Sequence, residues 1–333
     1  MTIRTSLVLQ TLPDTPHGGP AASKHFASLA QYVLNLPPPS AEGPSTSTVP
    51  NSSVSEPSLV RCQSYLLLGL YECTEGLDHS GWMKIGIAIR MAQILRLGFE
   101  DEDEMKVLLT DPILSEARRR TFWSCFKLER LITDGKDRPV ALQVPHNSSI
   151  KMPGSDLDYI MNIRSNSARF NPTPPAWSLP AQLSSVPEVE ADLYGHTIRV
   201  AELWRRVAQY VGEGGRNSDR RAPWMESGFA TLERDLNIFL ARLPLELQYT
   251  DENIVAHSLV GEVRRFAMLH LVFHTTKLVL HRDYLPFLPT FGFDASKGPV
   301  DGEPLCVSQD LAPKEWWISC AVRSFPSVMW NSA

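Results

Sequence analysis

Cysteine is scarce and scattered in this chain of 333 residues, which holds five cysteines and no CxxC pair. Zinc ribbons and thiol redox motifs need closely spaced cysteines, so the sequence indicates neither. Cys62, Cys73 and Cys125 lie inside apolar helical patterns, where a free cysteine behaves as a small hydrophobic residue. We therefore expect packed thiols, as in a protein of a reducing compartment.

Long hydrophobic runs are missing as well. The longest apolar stretch, residues 65–71, has about seven residues, whereas a helix needs roughly 20 to span a bilayer. The N-terminal stretch Ser6-Leu7-Val8-Leu9 is too short for the apolar core of a signal peptide. We expect an intracellular protein with no membrane partner.

The chain also has no excess of basic charge and no catalytic signature. Its formal net charge is -5, whereas a stand-alone nucleic-acid binder usually carries a basic domain or stripe. The nucleophile motif GxSxG, the phosphate-binding GxxxxGK[ST] and the dinucleotide-binding GxGxxG are all absent from the sequence. We assign no catalytic, cofactor-binding or metal-binding residues and predict that the chain is not an enzyme.

Apolar residues recur with a period near 3.6, and the alternation typical of strands is almost absent. This pattern predicts an all-α fold, an irregular multi-helix bundle with Pro/Ser-rich linkers. The periodic segments are residues 59–73, 82–95, 115–135, 193–211, 229–243 and 259–280. In the first of them, the predicted core face consists of Leu59, Cys62, Leu66, Leu70 and Cys73.

The ends of the helices are predicted from capping residues and helix breakers. Gly98 follows the second periodic segment as a C-terminal stop, and Ser115 is positioned to cap the third at its N-terminus. Pro/Ser-rich stretches over residues 37–57, 162–187 and 286–313 resist helix and strand alike. We interpret these three stretches as linkers or irregular loops.

The basic run Arg118-Arg119-Arg120 begins the third helix. Phosphate or DNA contact is one interpretation, because guanidinium groups pair well with phosphate oxygens. Three adjacent arginines spread over about 200° of a helix, however, so they cannot all face one ligand. A structural role, in which they pair with nearby acids such as Glu116, is the preferred interpretation.

An acidic run, residues 100–104, lies between two predicted helices. Clustered carboxylates can bind magnesium, as they do in all-α isoprenoid enzymes. Such a site needs a second carboxylate motif on a facing helix, and the sequence shows none. We interpret the run as a solvated loop.

Three histidines, His270, His274 and His281, fall within roughly 40° of one another on the long late helix. This spacing is compatible with a metal site. No HExxH pattern accompanies the histidines, and the residues between them are apolar. We predict packed or hydrogen-bonded histidines on a core helix.

Several motifs over residues 58–160 resemble the fungal-specific transcription factor domain, and they occur in the same order as in that family. This is the middle-homology regulatory region that lies C-terminal to the zinc cluster in fungal regulators such as the xylanolytic-activator group. Asp137 stands where the family usually has glycine before Arg-Pro. The matching pieces are Ser58–Tyr71, Gly81–Gln93, Glu116–Trp123, Glu129-Arg130, Arg138-Pro139 and Met152-Pro153.

The resemblance implies a domain organisation and a set of structural residues. The arginines that match the family pattern would be internal ion-pair partners in a buried or half-buried polar network between helices. The candidates for this network are Arg118, Arg119, Arg120, Glu129, Arg130 and Arg138. The predicted segments are 1–57 (partly disordered), 58–160 (regulatory core), 161–189 (linker), 190–285 (C-terminal helices) and 286–333 (an irregular loop and the start of a truncated helix).

The resemblance also implies the function, that of a transcription-regulatory module acting in the nucleus. No cysteine precedes Cys62, so zinc and DNA would be bound only by a zinc-cluster domain that this chain lacks. A small-molecule inducer, a regulatory protein and a second copy of the chain are the candidate partners. The alternatives are a magnesium-dependent isoprenoid-type enzyme and a helical adaptor without a ligand.

Overall fold

The computed structural model describes residues 20–35, 56–100, 111–132, 138–142, 150–163, 167, 192–219 and 227–282. The regular elements in this part of the chain are helices, which confirms the predicted all-α class. They are α1 (Pro20–Asn35), α2 (Leu59–Thr74), α3 (Asp78–Ile94), α4 (Pro112–Ile132), α5 (Asp156–Ile160), α6 (Leu193–Gly212), α7 (Gly215–Ser218), α8 (Gly228–Ala241), α9 (Asp251–Leu259) and α10 (Val263–Arg282). A 3₁₀ turn, Leu245–Leu247, precedes α9.

Two compact units make up the chain, residues 1–95 and residues 96–333. The finer subdivision after residues 57, 160, 189 and 285 stays a prediction. Most of the Pro/Ser-rich stretches lie outside the described residues. The same holds for Gly135, for Asp137 and for the truncated helix expected after residue 314.

In the first unit, α2 and α3 pack closely against each other. Cys62 and Leu66 of the predicted α2 face are buried, but Leu70 is exposed. A β-carbon at Gly69 would lie 2.7 Å from Cγ1 of Ile85, so the missing side chain lets the two helices approach. The contact face therefore centres on a glycine, which an apolar pattern does not count.

The end of α3 differs from the prediction. The helix stops at Ile94, and Arg96 adopts the left-handed conformation with φ of 52°, so the predicted stop at Gly98 is wrong. Gly98 is needed for a different reason. A β-carbon there would lie 2.8 Å from the ring of Phe122, so glycine allows a close approach to that aromatic side chain.

The core of the second unit is built by α6, α8 and α10. Their apolar faces follow the 3.6-residue period that the sequence predicts. Burial of this apolar surface is the main stabilising contribution to the unit. The buried cluster contains Val200, Leu203, Val207, Phe229, Leu232, Leu236, Phe239, Leu269, Val272, Phe273 and Leu280.

Two predicted helix ends in this unit are also corrected. The backbone N–H of Ile113 donates to Oδ1 of Asp111 over 3.0 Å, so Asp111, and not Ser115, caps α4. The late periodic segment is interrupted at Gly261, with φ of 77°, and α10 begins only at Val263. Leu259, predicted as a core residue, is 83% exposed.

Candidate functional site

The first half of α4 carries a cluster of ion pairs that we call the N-terminal cluster (Glu100, Glu116, Arg119, Arg120, Asp156 and Arg265). Within the helix, Glu116 pairs with Arg119 three residues later and with Arg120 four residues later, where Nε lies 2.8 Å from Oε1. These spacings place the side chains on one face of a helix. The sequence of α4 thus sets the centre of the cluster by itself.

Arg119 joins α4 to the segment that precedes it. Its Nε donates to Oε1 of Glu100 over 2.7 Å, and its Nη2 lies 3.3 Å from Oε2 of the same carboxylate. Two-point contacts of this kind fix the orientation of both groups. Glu100 belongs to the acidic run interpreted as a solvated loop, so that interpretation is wrong for Glu100; residues 101–104 lie outside the described residues.

Arg120 joins α4 to the segment around residues 154–156. It pairs with Asp156 and donates from Nη2 to the backbone carbonyl oxygen of Gly154 over 2.8 Å. The N–H of Gly154 donates in turn to Oε1 of Glu116 over 2.8 Å. Asp156 also forms an ion pair with Arg265, at the start of α10, in which Oδ2 lies 2.6 Å from Nη2 of the arginine. The cluster therefore links α4, α5 and α10.

Burial and pairing act in opposite directions on these charges. Burial by itself lowers the pKa of Arg119 and of Arg120, but hydrogen bonds and charges from their carboxylate partners raise the pKa of each above its ordinary value. Burial by itself raises the pKa of Asp156, but Arg120 and Arg265 hold it below its ordinary value. The partners therefore stabilise Arg119, Arg120 and Asp156 in their charged forms.

The second half of α4 carries another cluster, the C-terminal cluster (Glu129, Arg130, Leu142, Glu202 and Arg205). Glu129 accepts backbone hydrogen bonds from Ala141, over 2.7 Å, and from Leu142, over 3.0 Å. These bonds bind the segment 138–142 to the end of the helix. The carboxylate is almost fully buried, so its two donors replace the water that it has lost.

Arg130 occupies the centre of the C-terminal cluster. Its Nε donates to Oε2 of Glu202 on α6 over 2.6 Å, and its guanidinium lies 3.2 Å from the ring centroid of Phe126. Its Nη atoms donate to the carbonyl oxygen of Leu142 over 3.3 Å. Burial lowers the pKa of Arg130, and the charge of Glu202 offsets only part of that change.

Four of the six predicted network residues, Arg119, Arg120, Glu129 and Arg130, thus fall into two clusters on one helix. Arg120 and Arg130 are ten residues apart, which corresponds to about 15 Å along α4. Arg138 donates from Nη1 to the carbonyl oxygen of Ile132, over 3.3 Å, at the C-terminal end of α4. Arg118 is half-buried, and burial lowers its pKa.

Five charged cluster members were missed by the sequence reasoning: Glu100, Asp156, Glu202, Arg205 and Arg265. Asp156 stands directly after Ser155, which caps α5, and this local signal identifies a helix start but not a partner. Glu202 and Arg205 occupy an i, i+3 pair within α6. Neither local pattern indicates which distant charge it will meet.

No metal-binding group of three or more histidine, cysteine or acidic side chains occurs in the described ranges. The Nε2–H of His270 donates to the carbonyl oxygen of Leu247 over 2.9 Å, and His281 packs edge-on against Phe229. His274 is exposed next to them. Among the helices that the structure describes, none is long and apolar enough to cross a membrane.

Comparison with known proteins gives a family match over much of this architecture. The model of the fungal specific transcription factor domain matches residues 27–211, which is more than half of the chain. The matched range starts before and ends after the residues 58–160 that carry the sequence resemblance. It contains all of α4 and both of its clusters except Arg265.

Curated fungal regulators are similar to the chain at modest identity. Two uncharacterized transcriptional regulatory proteins of Schizosaccharomyces pombe are 27% and 26% identical over 72% and 68% of this chain, and these matches cover 36% and 24% of their own lengths. A Zn(2)-C6 fungal-type transcription factor of Fusarium oxysporum f. sp. lycopersici is 27% identical over 68% of this chain and 25% of its own. The chain thus spans about a third or less of these relatives. No solved structure matches it.

Proposed function

Because the chain belongs to the fungal specific transcription factor domain family, we propose that it is a regulatory module that controls transcription in the nucleus. The single observation that carries this proposal is the family match over residues 27–211. DNA and zinc would be bound by a separate domain; the Fusarium relative is named a Zn(2)-C6 fungal-type transcription factor. The module itself would control transcription without catalysis.

The two clusters of α4 supply a physical basis for regulation. Each one fastens segments that are distant in the sequence to the same helix: residues 154–156 and α10 at one end, residues 138–142 and α6 at the other. Buried charges are tolerated only while they are paired, so losing one partner is costly. A segment held by such pairs would adopt a few discrete positions against α4 and would not shift continuously.

An effector would act by competing for one of these partners. An anionic inducer or an acidic segment of a regulatory protein could replace Asp156 between Arg120 and Arg265, because a carboxylate or phosphate pairs with guanidinium in the same two-point manner. Release of Asp156 would remove its ion pairs with Arg120 and Arg265 and so loosen the start of α5. The N-terminal cluster is therefore the proposed point of control.

A transcriptional reporter tests the proposal directly. The full chain is fused to a DNA-binding domain of known site, and the fusion is expressed in fungal cells beside a reporter with that site. We expect reporter output several-fold above or below that of the DNA-binding domain alone. We expect Asp156→Asn to change this output further at equal protein level, whereas Glu246→Gln, an exposed carboxylate on the 3₁₀ turn, leaves it unchanged. Output equal to that of the DNA-binding domain alone would contradict a role in transcription.

The magnesium-dependent enzyme is not favoured by the geometry of the acidic run. Glu100 is held by Arg119, so its carboxylate is already neutralised by a buried cation. We expect no magnesium-dependent release of diphosphate from isoprenoid diphosphates by the purified chain. Turnover above that of a heat-denatured sample would reverse this ranking of functions.

A further inference from the structure

Ser155 is an exposed serine beside the N-terminal cluster. Its hydroxyl oxygen accepts a hydrogen bond from the backbone N–H of Asp158 over 3.1 Å and so caps α5. The two residues before it, Pro153 and Gly154, are buried, whereas Ser155 itself is exposed. The hydroxyl group is therefore held at the surface at a defined place in the fold, directly before the cluster member Asp156.

Acidic residues follow Ser155 at two spacings. Asp156 is the next residue along the chain, and Asp158 lies three residues after the serine. Protein kinases distinguish their substrates partly by the pattern of charge around the acceptor hydroxyl group. The pattern at Ser155 fits a serine/threonine kinase whose substrate groove is basic beyond the position of the acceptor.

The helix that follows Ser155 is held by few contacts. It has five residues, and none of them is buried. Leu157 and Ile160 are 68% and 66% exposed, so the apolar side chains of α5 contribute little to packing. A segment with few buried apolar contacts opens at a small cost in free energy. The residues around Ser155 can therefore unwind into the extended form in which a groove binds a peptide.

Two arginines of the N-terminal cluster lie next to Ser155. Nη2 of Arg120 donates to the backbone carbonyl oxygen of Ser155 over 3.1 Å. Arg120 and Arg265 both form ion pairs with Asp156, the adjacent residue. A phosphoryl group on Ser155 would add a charge of about −1.5 to −2 at pH 7. It would attract both guanidinium groups and repel the carboxylate of Asp156, so both effects weaken the same two ion pairs.

We propose that Ser155 is a phosphorylation site and that its phosphate group releases Asp156 from Arg120 and Arg265. ATP is the phosphoryl donor, and the enzyme is a separate kinase that selects acidic sequences. The Oγ of Ser155 forms a bond to the γ-phosphorus, the bond from that phosphorus to ADP breaks, and the hydroxyl proton passes to the catalytic base of the kinase. The inference deepens the proposed function and rests on it for its regulatory meaning, because the N-terminal cluster is the proposed point of control.

Thr250 offers a matched comparison within the same chain. It is an exposed residue that caps α9, and Asp251 and Glu252 follow it directly. Neither of these two acids forms an ion pair within the part of the chain that the structure describes. A phosphoryl group on Thr250 would therefore have no such pair to displace.

The first test is phosphorylation of the purified full chain of 333 residues. The chain is incubated with ATP and a serine/threonine kinase that prefers acidic residues after the acceptor, and mass spectrometry of its proteolytic peptides locates the phosphate. We expect Ser155 to be modified. We expect Asp158→Asn to slow that modification about tenfold, which corresponds to the loss of one charged contact with the kinase. An unmodified Ser155, in a reaction that phosphorylates a control peptide, would overturn the proposal.

The second test measures the release of Asp156 by hydrogen exchange and mass spectrometry. We expect the amides of residues 156–163 and 263–270 to exchange about tenfold faster once Ser155 is phosphorylated. Ser155→Asn lacks the hydroxyl group but caps a helix equally well, so its exchange should not respond to kinase and ATP. Thr250→Ala is the control variant and should respond as the unsubstituted chain does.

Two outcomes of the exchange experiment would contradict the release of Asp156. One is an unchanged exchange rate in a chain that carries phosphate on Ser155. The other is an equal increase in kinase-treated Ser155→Asn, which would assign the effect to a different hydroxyl group. Circular dichroism establishes that each variant is folded. These measurements use no reporter, so an inactive reporter would contradict the proposed function and leave their result standing.

Discussion

The exchange Glu129→Gln removes one negative charge from the C-terminal cluster while it preserves the size and shape of the side chain. Each carboxylate oxygen of Glu129 accepts one backbone hydrogen bond, from Ala141 over 2.7 Å and from Leu142 over 3.0 Å. Glutamine has a single acceptor oxygen, so its amide NH2 would face one of these two N–H donors. One buried donor is then left without a partner.

The cost follows from what is lost and what is retained. A hydrogen bond to a charged group contributes about 1.5–3 kcal/mol, and an unsatisfied buried donor adds to the loss when it is removed. Arg130 keeps its ion pair with Glu202, so no cation is left alone. We therefore expect the free energy of unfolding to fall by about 2–4 kcal/mol, less than the full cost of breaking a buried pair.

Thermal unfolding of the full chain, followed by circular dichroism, measures this change. About 1 kcal/mol shifts Tm by roughly 2–4 °C in a domain of 150–250 residues, so Glu129→Gln should lower Tm by about 5–15 °C. The matched exchange Glu246→Gln lies on an exposed carboxylate and should change the stability by less than about 0.5 kcal/mol. Equal Tm values for the two variants would refute the reasoning.

Three further predictions test other features of the structure. Arg138→Ala removes the hydrogen bond to the last carbonyl of α4 and should lower the stability by about 1 kcal/mol, whereas an unchanged melting midpoint would contradict this. Burial lowers the pKa of His270, so the unfolded chain takes up the proton at a higher pH than the folded chain does. The urea midpoint should therefore decrease as the pH is lowered from 7.5 to 5.5. His270→Gln should flatten that dependence, and an equally steep one would exclude His270 as its source. Gly81→Ala should destabilise the first unit, because its β-carbon would lie 2.5 Å from the sulfur atom of Cys73. Gly86→Ala has open space around it and should stabilise the unit by up to about 1 kcal/mol. The reverse order of stability in urea denaturation would contradict the close packing.

The helices themselves were predictable from the sequence, because the signal for them is local. A period of 3.6 residues places apolar side chains on one side of a helix whatever the rest of the chain does. The pairs of Glu116 with Arg119 and Arg120 are equally local, since three or four residues separate the charges on one helix. No information from elsewhere in the fold is needed for either.

Predictions that depended on a single residue at a helix end were less accurate. Asp111 and Ser115 are both good capping residues, and the choice between them was made by where α4 meets its preceding segment. Gly98 was predicted for its conformational freedom, but the structure uses its small size against Phe122. One residue type can serve several purposes, and only its neighbours in space decide which one applies.

The sequence by itself determined the all-α class, most helix spans, the family resemblance and the local half of the polar clusters. Only the tertiary structure decided that Arg120 pairs with Asp156, 36 residues away, and Arg130 with Glu202, 72 residues away. Only it showed that Met268, Leu271 and Leu278 of α10 face outward. The physical reason is that charge and hydrophobicity describe what a side chain needs. They do not describe which part of the chain returns to supply it.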